Sequence, residues 1–231
     1  MPPMRLRPAL AAVTIAVLVS GCGSDGSDGS DGGDPKDAAA DAATTSCSYP
    51  SDGQSPAKEV DPPDEQAPAS GTVHVDVESS MGDFGLDLDA EAAPCTVNSF
   101  VSLAEQGYFD DTSCHRITNQ SIFVLQCGDP TGTGMGGPGY TIPLEVEGDE
   151  TYPAGTLAMA RAQDPDSGGS QFFMVYADSG LGPEYTVFGT VDETGVEAIQ
   201  KIAEDGNDGS MGANGGAPNT PVDITSVTVA D

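Results

Sequence analysis

The sequence predicts a mainly β fold, a closed antiparallel β-barrel capped by two α-helices. Three observations lead there. From Gly71 onward many short apolar segments recur, separated by Gly-rich turns. The first two of these segments alternate apolar and polar residues with the period of a strand. Two stretches alone carry the longer period of an amphipathic helix.

Taken in order, Val73, Val75 and Val77 alternate with polar residues, and Phe84, Leu86 and Leu88 do so after a turn-like run at 79–83. That pattern predicts a β-hairpin. Pro94 suits the first turn of a helix, Val97, Phe100, Val101 and Ala104 share one of its faces, and Gly107 ends it. A second helix carries Val196, Ile199 and Ile202 and stops by Gly206. Further strands are predicted at 114–118, 122–127, 155–160, 171–176, 186–191 and 222–229.

The region before the barrel divides into three. Arg5 and Arg7 precede the apolar run 10–19, too short to span a bilayer and of the length of a signal-peptide core. Residues 1–21 are therefore expected to be a signal peptide. Val19, Ser20, Gly21 and Cys22 resemble the bacterial lipobox, which implies lipidation at Cys22 and an acyl anchor in the membrane. Residues 22–46 repeat Gly, Ser and Asp and then Asp, Ala and Thr, a linker with too little apolar surface to repay ordering. Residues 47–70, with Pro50, Pro56, Pro62, Pro63 and Pro68, read as an extended segment, leaving one domain at 71–231. The expected location is the extracytoplasmic face of the cell membrane.

A formal net charge of −30, from 37 acidic and 7 basic residues, sets a field that repels nucleic acid and anionic headgroups. After Gly71 the cations other than histidine are Arg116, Arg161 and Lys201, so each calls for a reason. Of five cysteines, setting Cys22 aside leaves Cys47, Cys95, Cys114 and Cys127, an even set suited to an oxidising compartment. Three pairings are possible. The favoured one joins Cys114 with Cys127, which flank strand-like segments joined by a short loop, and leaves Cys47 with Cys95 to staple the extended segment to the domain.

No P-loop, dinucleotide fingerprint, metal-spaced His/Cys cluster or G-x-S-x-G nucleophile motif occurs, so neither cofactor nor metal is expected. His74 reads as a strand surface residue, which leaves His115 alone as a base and argues against a hydrolase.

Three blocks carry the chemistry. Cys114, His115, Arg116 and Ile117 are followed by Ile122 to Asp129 and by Gly132, Thr133 and Gly134. Leu157 to Ala162 lead through the loop 163–169 into Ser170, Gln171, Phe172, Phe173 and Met174. Leu181 precedes Tyr185, Thr186, Val187, Phe188 and Gly189. In this order the segments HR, LQCGD, GTG, MARA, SQFF and VFG resemble the cyclophilin family of peptidyl-prolyl isomerases, over about residues 71–229.

The resemblance implies an eight-stranded antiparallel barrel with two helices, and cis/trans isomerisation of X-Pro bonds without a nucleophile. It also implies roles. Arg116 is the hydrogen-bond donor to the twisting amide, Gln126 positions the substrate backbone, and Phe173, Phe123, Val124 and Leu181 line the proline pocket. Ala160, Arg161 and Ala162 match the edge along which the peptide lies, Gln171 a second polar contact, and Gly132 the neighbouring subsite. Neighbours on a strand face opposite ways, so Phe172 is expected in the core if Phe173 faces out.

The chain departs from the common pattern in four places. Two extra residues lengthen the loop Thr118, Asn119, Gln120, Ser121; Val124 replaces a bulkier methionine; Gly180 stands where many members have tryptophan; and Tyr185 stands where many have histidine. The missing indole puts cyclosporin binding in doubt.

The reading is thus a monomeric, lipid-anchored isomerase that assists the folding of exported proline-containing polypeptides. The alternatives are a non-catalytic module or chaperone that holds proline segments in the same groove, and an envelope lipoprotein whose groove is a relic.

Overall fold

The computed structural model describes residues 43–230; the signal segment, Cys22 and most of the 22–46 linker lie outside the described residues. The described chain begins with β1 (Thr44–Ser46), antiparallel to β2 (Gln66–Pro68). The main sheet follows with β3 (Thr72–Ser79), β4 (Phe84–Asp89), β5 (Thr112–Ser113), β6 (Arg116–Ile117) and β7 (Val124–Cys127). It is completed by β8 (Thr156–Met159), β9 (Phe172–Val175), β10 (Val187–Val191) and β11 (Asp223–Val229).

The hairpin of β3 and β4 pairs Val75 with Leu86 and Val77 with Phe84, so the alternating apolar set lands on the buried face. All nine strands of the main sheet join antiparallel neighbours, in the order β5-β11-β3-β4-β10-β8-β9-β7-β6. The expected closed eight-stranded barrel is thereby corrected to a curled, open sheet of nine strands. At the edges, β5 and β6 are consecutive in the chain, separated by Cys114 and His115, and pair with β11 and β7 rather than with each other. The chain leaves one edge of the sheet and enters the other. The unexpected β5 arises because Thr112 and Ser113 find partners in Ile224 and Asp223, more than a hundred residues away.

Helix α1 (Pro94–Glu105) buries Cys95, Val97, Phe100, Leu103 and Ala104 against the sheet. Phe100 stacks on Phe109 at 4.8 Å and meets the rings of Phe172 and Phe188 at 5.4 and 5.5 Å, forming the centre of the core. No side chain caps α1 locally, since its N-cap is Ala93. Instead the carboxylate of Glu145, fifty residues on, accepts from the backbone N–H of Cys95 and Thr96, both at 2.9 Å, and complements the helix dipole. Helix α2 (Glu193–Glu204) is capped by Asp192, whose Oδ1 accepts from Gly195 N at 2.7 Å while Oδ2 holds Gly85 N of β4 at 2.8 Å.

Both favoured disulfides are formed, Cys47–Cys95 and Cys114–Cys127. The first ties the segment after β1 to the start of α1. Over the same segment Tyr49 donates to the Cys95 carbonyl at 3.0 Å and sets its ring edge-on to Tyr140 at 5.7 Å. The second joins the turn between the edge strands to the end of β7.

Candidate active site

Cross-strand partners share a face, and two adjacent rows of partners divide the sheet into a core side and a site side. Ile117, Leu125, Met174 and Leu157 form one row through β6, β7, β9 and β8, and all four are buried in the main core. The next row is Arg116, Gln126, Phe173 and Ala158, continued by Val187 on β10, and it faces the other way. The three residues expected to act on the amide are thus direct neighbours on three adjacent strands.

A chain of side-chain hydrogen bonds runs away from Arg116. Its Nη1 donates to Gln126 Oε1 at 3.0 Å, Gln126 Nε2 donates to Gln171 Oε1 at 2.9 Å, and Gln171 Nε2 donates to the Gly136 carbonyl at 2.9 Å. A guanidinium can only donate and a carbonyl can only accept, so both amide orientations are fixed by the ends of the chain. Burial lowers the pKa of Arg116, with an opposing effect from Tyr185, and the group stays cationic.

The far end rests on Asp129. Its carboxylate accepts from the N–H groups of Thr131, Gly134 and Gly136 at 2.7, 2.7 and 3.1 Å, winding residues 130–136 around one anion. Burial pushes its pKa up, but the hydrogen bonds from Gly136, Thr131 and Gly134 outweigh that and leave it lowered. A Cβ on Gly136 would fall 2.1 Å from Asp129 Oδ1, so only glycine fits. Asp129 was visible in the sequence only as part of a motif; its position before a Gly/Thr-rich turn is the signal of such a carboxylate-wound loop.

Beside this polar chain lies a separate apolar cluster of Val124, Tyr152, Ala158, Phe173 and Val175, with Ile122, Ala160, Leu181, Tyr185 and Val187 half-buried around it. Phe173 meets Tyr185 edge-to-face at 5.4 Å. Tyr152 holds Tyr185 in place, its hydroxyl donating to the Tyr185 carbonyl and accepting from the Tyr185 N–H, both at 3.0 Å. Phe172 lies in the main core, as the alternation requires.

Phe123 is placed elsewhere. Its ring packs on the main core beside Tyr176, at 5.9 Å, and Ile122 occupies the margin of the apolar cluster instead. Strand alternation accounts for this: Val124 and Gln126 face the site, so Phe123 faces the core with Leu125. Ser121 adopts a positive φ of 66°, Ile122 N returns to Gln120 O at 2.7 Å, Phe123 N is held by Ser179 Oγ at 2.8 Å, and Tyr176 N donates to Phe123 O at 3.0 Å, which carries the pairing of β7 with β9 one residue further.

Gln126, Gln171, Ala160, Arg161 and Ala162 line a cleft of about 470 Å³ beyond the polar chain, with Thr131 and Gly134 on either side of Gly132. Arg161 forms the ridge between cleft and apolar cluster. Its Nε donates to the Glu184 carbonyl at 2.7 Å, its Nη2 pairs with the Glu184 carboxylate at 3.1 Å, and its guanidinium sits 5.2 Å over the Tyr185 ring. At Gly180 a Cβ would meet nothing within 4 Å, so the chain is open to solvent just before Leu181. His115, 7% exposed, lies against the turn at Gly134 with Nδ1 in no hydrogen bond, and burial holds its pKa below the usual range. Among the described residues no cluster of His, Cys, Asp or Glu is placed to hold a metal ion.

A curled antiparallel sheet with two helices, presenting an arginine and a glutamine beside an apolar pocket, defines a cyclophilin-type fold. The structure resembles the crystal structure of a Cryptosporidium parvum cyclophilin type peptidyl-prolyl cis-trans isomerase, with a TM-score of 0.60 and 27% identity over 70% of this chain and 99% of that one. A second structure of that protein, in the presence of the dipeptide Ala-Pro, matches with a TM-score of 0.59, at 28% identity over 68% of this chain and 99% of that one. The family model for cyclophilin type peptidyl-prolyl cis-trans isomerase/CLD matches residues 74–229, and the chain belongs to that family. The probable peptidyl-prolyl cis-trans isomerase B of Mycobacterium tuberculosis (strain ATCC 25618 / H37Rv) is 46% identical over 202 residues, 79% of this chain. This chain spans 63% of that relative's length. Peptidyl-prolyl cis-trans isomerase B of Bacillus subtilis (strain 168) is 50% identical over 119 residues, 51% of this chain and 80% of that protein.

Proposed function

We propose that this chain catalyses cis/trans exchange at X-Pro bonds of polypeptides outside the cytoplasm. The observation that carries the reading is the row of Arg116, Gln126 and Phe173 on one face of three adjacent strands. An X-Pro bond exchanges slowly because amide resonance resists twisting, with a barrier of about 18 to 20 kcal/mol. With the proline ring in the apolar cluster, a cation at Arg116 meets the amide whose nitrogen lone pair localises as it twists. Gln126, its orientation fixed by Gln171, holds the neighbouring backbone. The acceleration comes from donors already in place when the charge redistributes, so no covalent intermediate is required. The solved relative in the presence of Ala-Pro supports a proline ligand for this groove.

The extracytoplasmic part of the reading rests on the signal-like run 10–19 and the lipobox-like Cys22. The two disulfides also suit an oxidising compartment. In this reading the acyl chains on Cys22 anchor the domain, residues 22–46 serve as a tether, and proline-containing exported polypeptides are the substrates of a monomer. Exchange of a short X-Pro peptide, followed by NMR with catalytic amounts of protein, tests the activity; a rate equal to the uncatalysed one would favour the binding-module alternative. Cys22→Ser tests the anchor: a variant cleaved and membrane-bound like the parent would refute lipidation.

A further inference from the structure

One wall of the cleft beyond Gln171 comes from outside the region the family model matches. Asp52, Gln54, Ser55 and Ala57 line it, while the match begins at residue 74. This strap is fixed along its length. The Cys47–Cys95 bridge holds its start; Thr141 N donates to Pro50 O at 2.9 Å, Asp52 N to Gly139 O at 3.2 Å and Ala57 N to Gly137 O at 2.9 Å. The Lys58 ammonium then donates to the carbonyls of Gly107, at 3.3 Å, and Asp110. A wall tied at so many points presents its side chains at set positions.

The chemistry of the cleft is one-sided. Arg161 is already paired with Glu184, and Lys58 is engaged by backbone carbonyls. Asp52 is in no ion pair among the described residues; its Oδ1 accepts only from Gln54 N at 2.8 Å. Beneath the lining, Ser170 Oγ donates to the buried Tyr108 phenol at 3.3 Å. On the rim, Met135 is 85% exposed, a large apolar side chain with nothing of its own to cover it. Pro138 and Ala162 extend the apolar surface.

We propose that the strap makes this cleft a specificity subsite for a lysine or arginine side chain of the substrate polypeptide. That side chain flanks the proline held at Phe173, its aliphatic stem lying on Met135 and its cationic head meeting Asp52. Long basic side chains have this division between stem and head, and a flexible thioether adapts to either. The inference rests on the reading of the adjoining site as a proline-peptide site. It assigns Asp52 a specificity role rather than a catalytic one.

The test uses the full chain and a set of proline peptides carrying Lys, Ala or Glu at each of three positions on either side of the proline. Turnover is measured by NMR exchange and affinity by calorimetry. At one position Lys should exceed Ala by about threefold to fivefold in kcat/KM and affinity, the upper range for a single partly exposed ion pair. Glu should fall below Ala, and both differences should shrink at high salt. Asp52→Asn keeps an acceptor for Gln54 N, so the strap stays wound; it should level Lys with Ala while leaving the Ala peptide unchanged, and Asp52→Lys should favour Glu. Equal affinity for Lys, Ala and Glu peptides at every position, or a preference for Lys that survives Asp52→Asn, overturns the subsite. A preference seen in affinity without any turnover would instead refute the isomerase reading and retain the subsite.

Discussion

Arg116 and Gln126 are register partners on β6 and β7, and the guanidinium donates to the amide oxygen at 3.0 Å. One hydrogen bond therefore sets both the donor and the group that orients the substrate backbone. Arg116→Ala is expected to lower kcat/KM for a proline peptide about a hundredfold, the usual loss for one preorganised donor. The residue is half-buried at a sheet edge, so thermal unfolding should move little. Arg116→Lys should recover only part of the rate, since an ammonium cannot hold Gln126 and the substrate in one plane. A folded Arg116→Ala protein with parental turnover would mean that the groove works by desolvation alone.

Phe173 is 5% exposed and packs against Tyr185, so it serves both the pocket and the fold. Phe173→Ala should cost roughly 3 kcal/mol or more of stability, as truncations of buried rings do, and weaken peptide binding as well. Phe173→Leu retains most of the packing and separates the two effects. Denaturant unfolding alongside KM and kcat measures them; if Leu restores stability and the parental KM too, the ring has no specific part in binding.

The Cys114–Cys127 bridge spans the turn that carries His115 and Arg116 to the end of β7. Its sequence separation is 13 residues. Replacing both cysteines by alanine should cost about 2 to 4 kcal/mol and let the two-residue strand β6 fray. Turnover should then fall even where the protein is fully folded, and hydrogen exchange at Ile117 should quicken. Unchanged protection at Ile117 would show that the bonds from Ile117 N to Gly216 O and from Thr118 N to Val124 O hold this edge without the bridge.

The two histidines should bend the pH dependence of stability in opposite directions. Burial lowers the pKa of His115, so over the range just below its ordinary value near 6.5 the unfolded chain takes up a proton that the folded chain refuses. That contribution is complete above the unfolded value and is lost as pH falls toward the folded one. His74 is exposed, and its bond to Asp87 raises its pKa, so its contribution is present below the unfolded value and fades as pH rises through the folded one. In a His74→Gln background, stability should therefore fall more steeply between pH 7 and pH 5.5 than in the parent. Adding His115→Gln should flatten the curve. Denaturant midpoints at several pH values check this, and identical slopes in all three proteins would contradict it.

Much of the fold was legible because its signals are local. Val73, Val75 and Val77 against Phe84, Leu86 and Leu88 announce a hairpin through side-chain alternation alone. Pro94 and Gly107 bracket α1 through their own backbone preferences. The blocks around Arg116, Gln126 and Phe173 were visible as motifs, and alternation separated Phe172 from Phe173.

What local pattern could not convey is which distant groups meet. Nothing near Pro94 indicates that Glu145 caps its helix, and nothing near Asp52 indicates that a proline-rich strap lines the cleft beside Gln171. Phe123 is the converse case: alternation with Val124 and Gln126 already turns it to the core, where it packs beside Tyr176. Alternation and capping act over a few residues and are written in order along the chain. Helix caps from afar, cleft walls and the pairing at a sheet's edges depend on three-dimensional packing between segments tens of residues apart, so only the tertiary structure decided them.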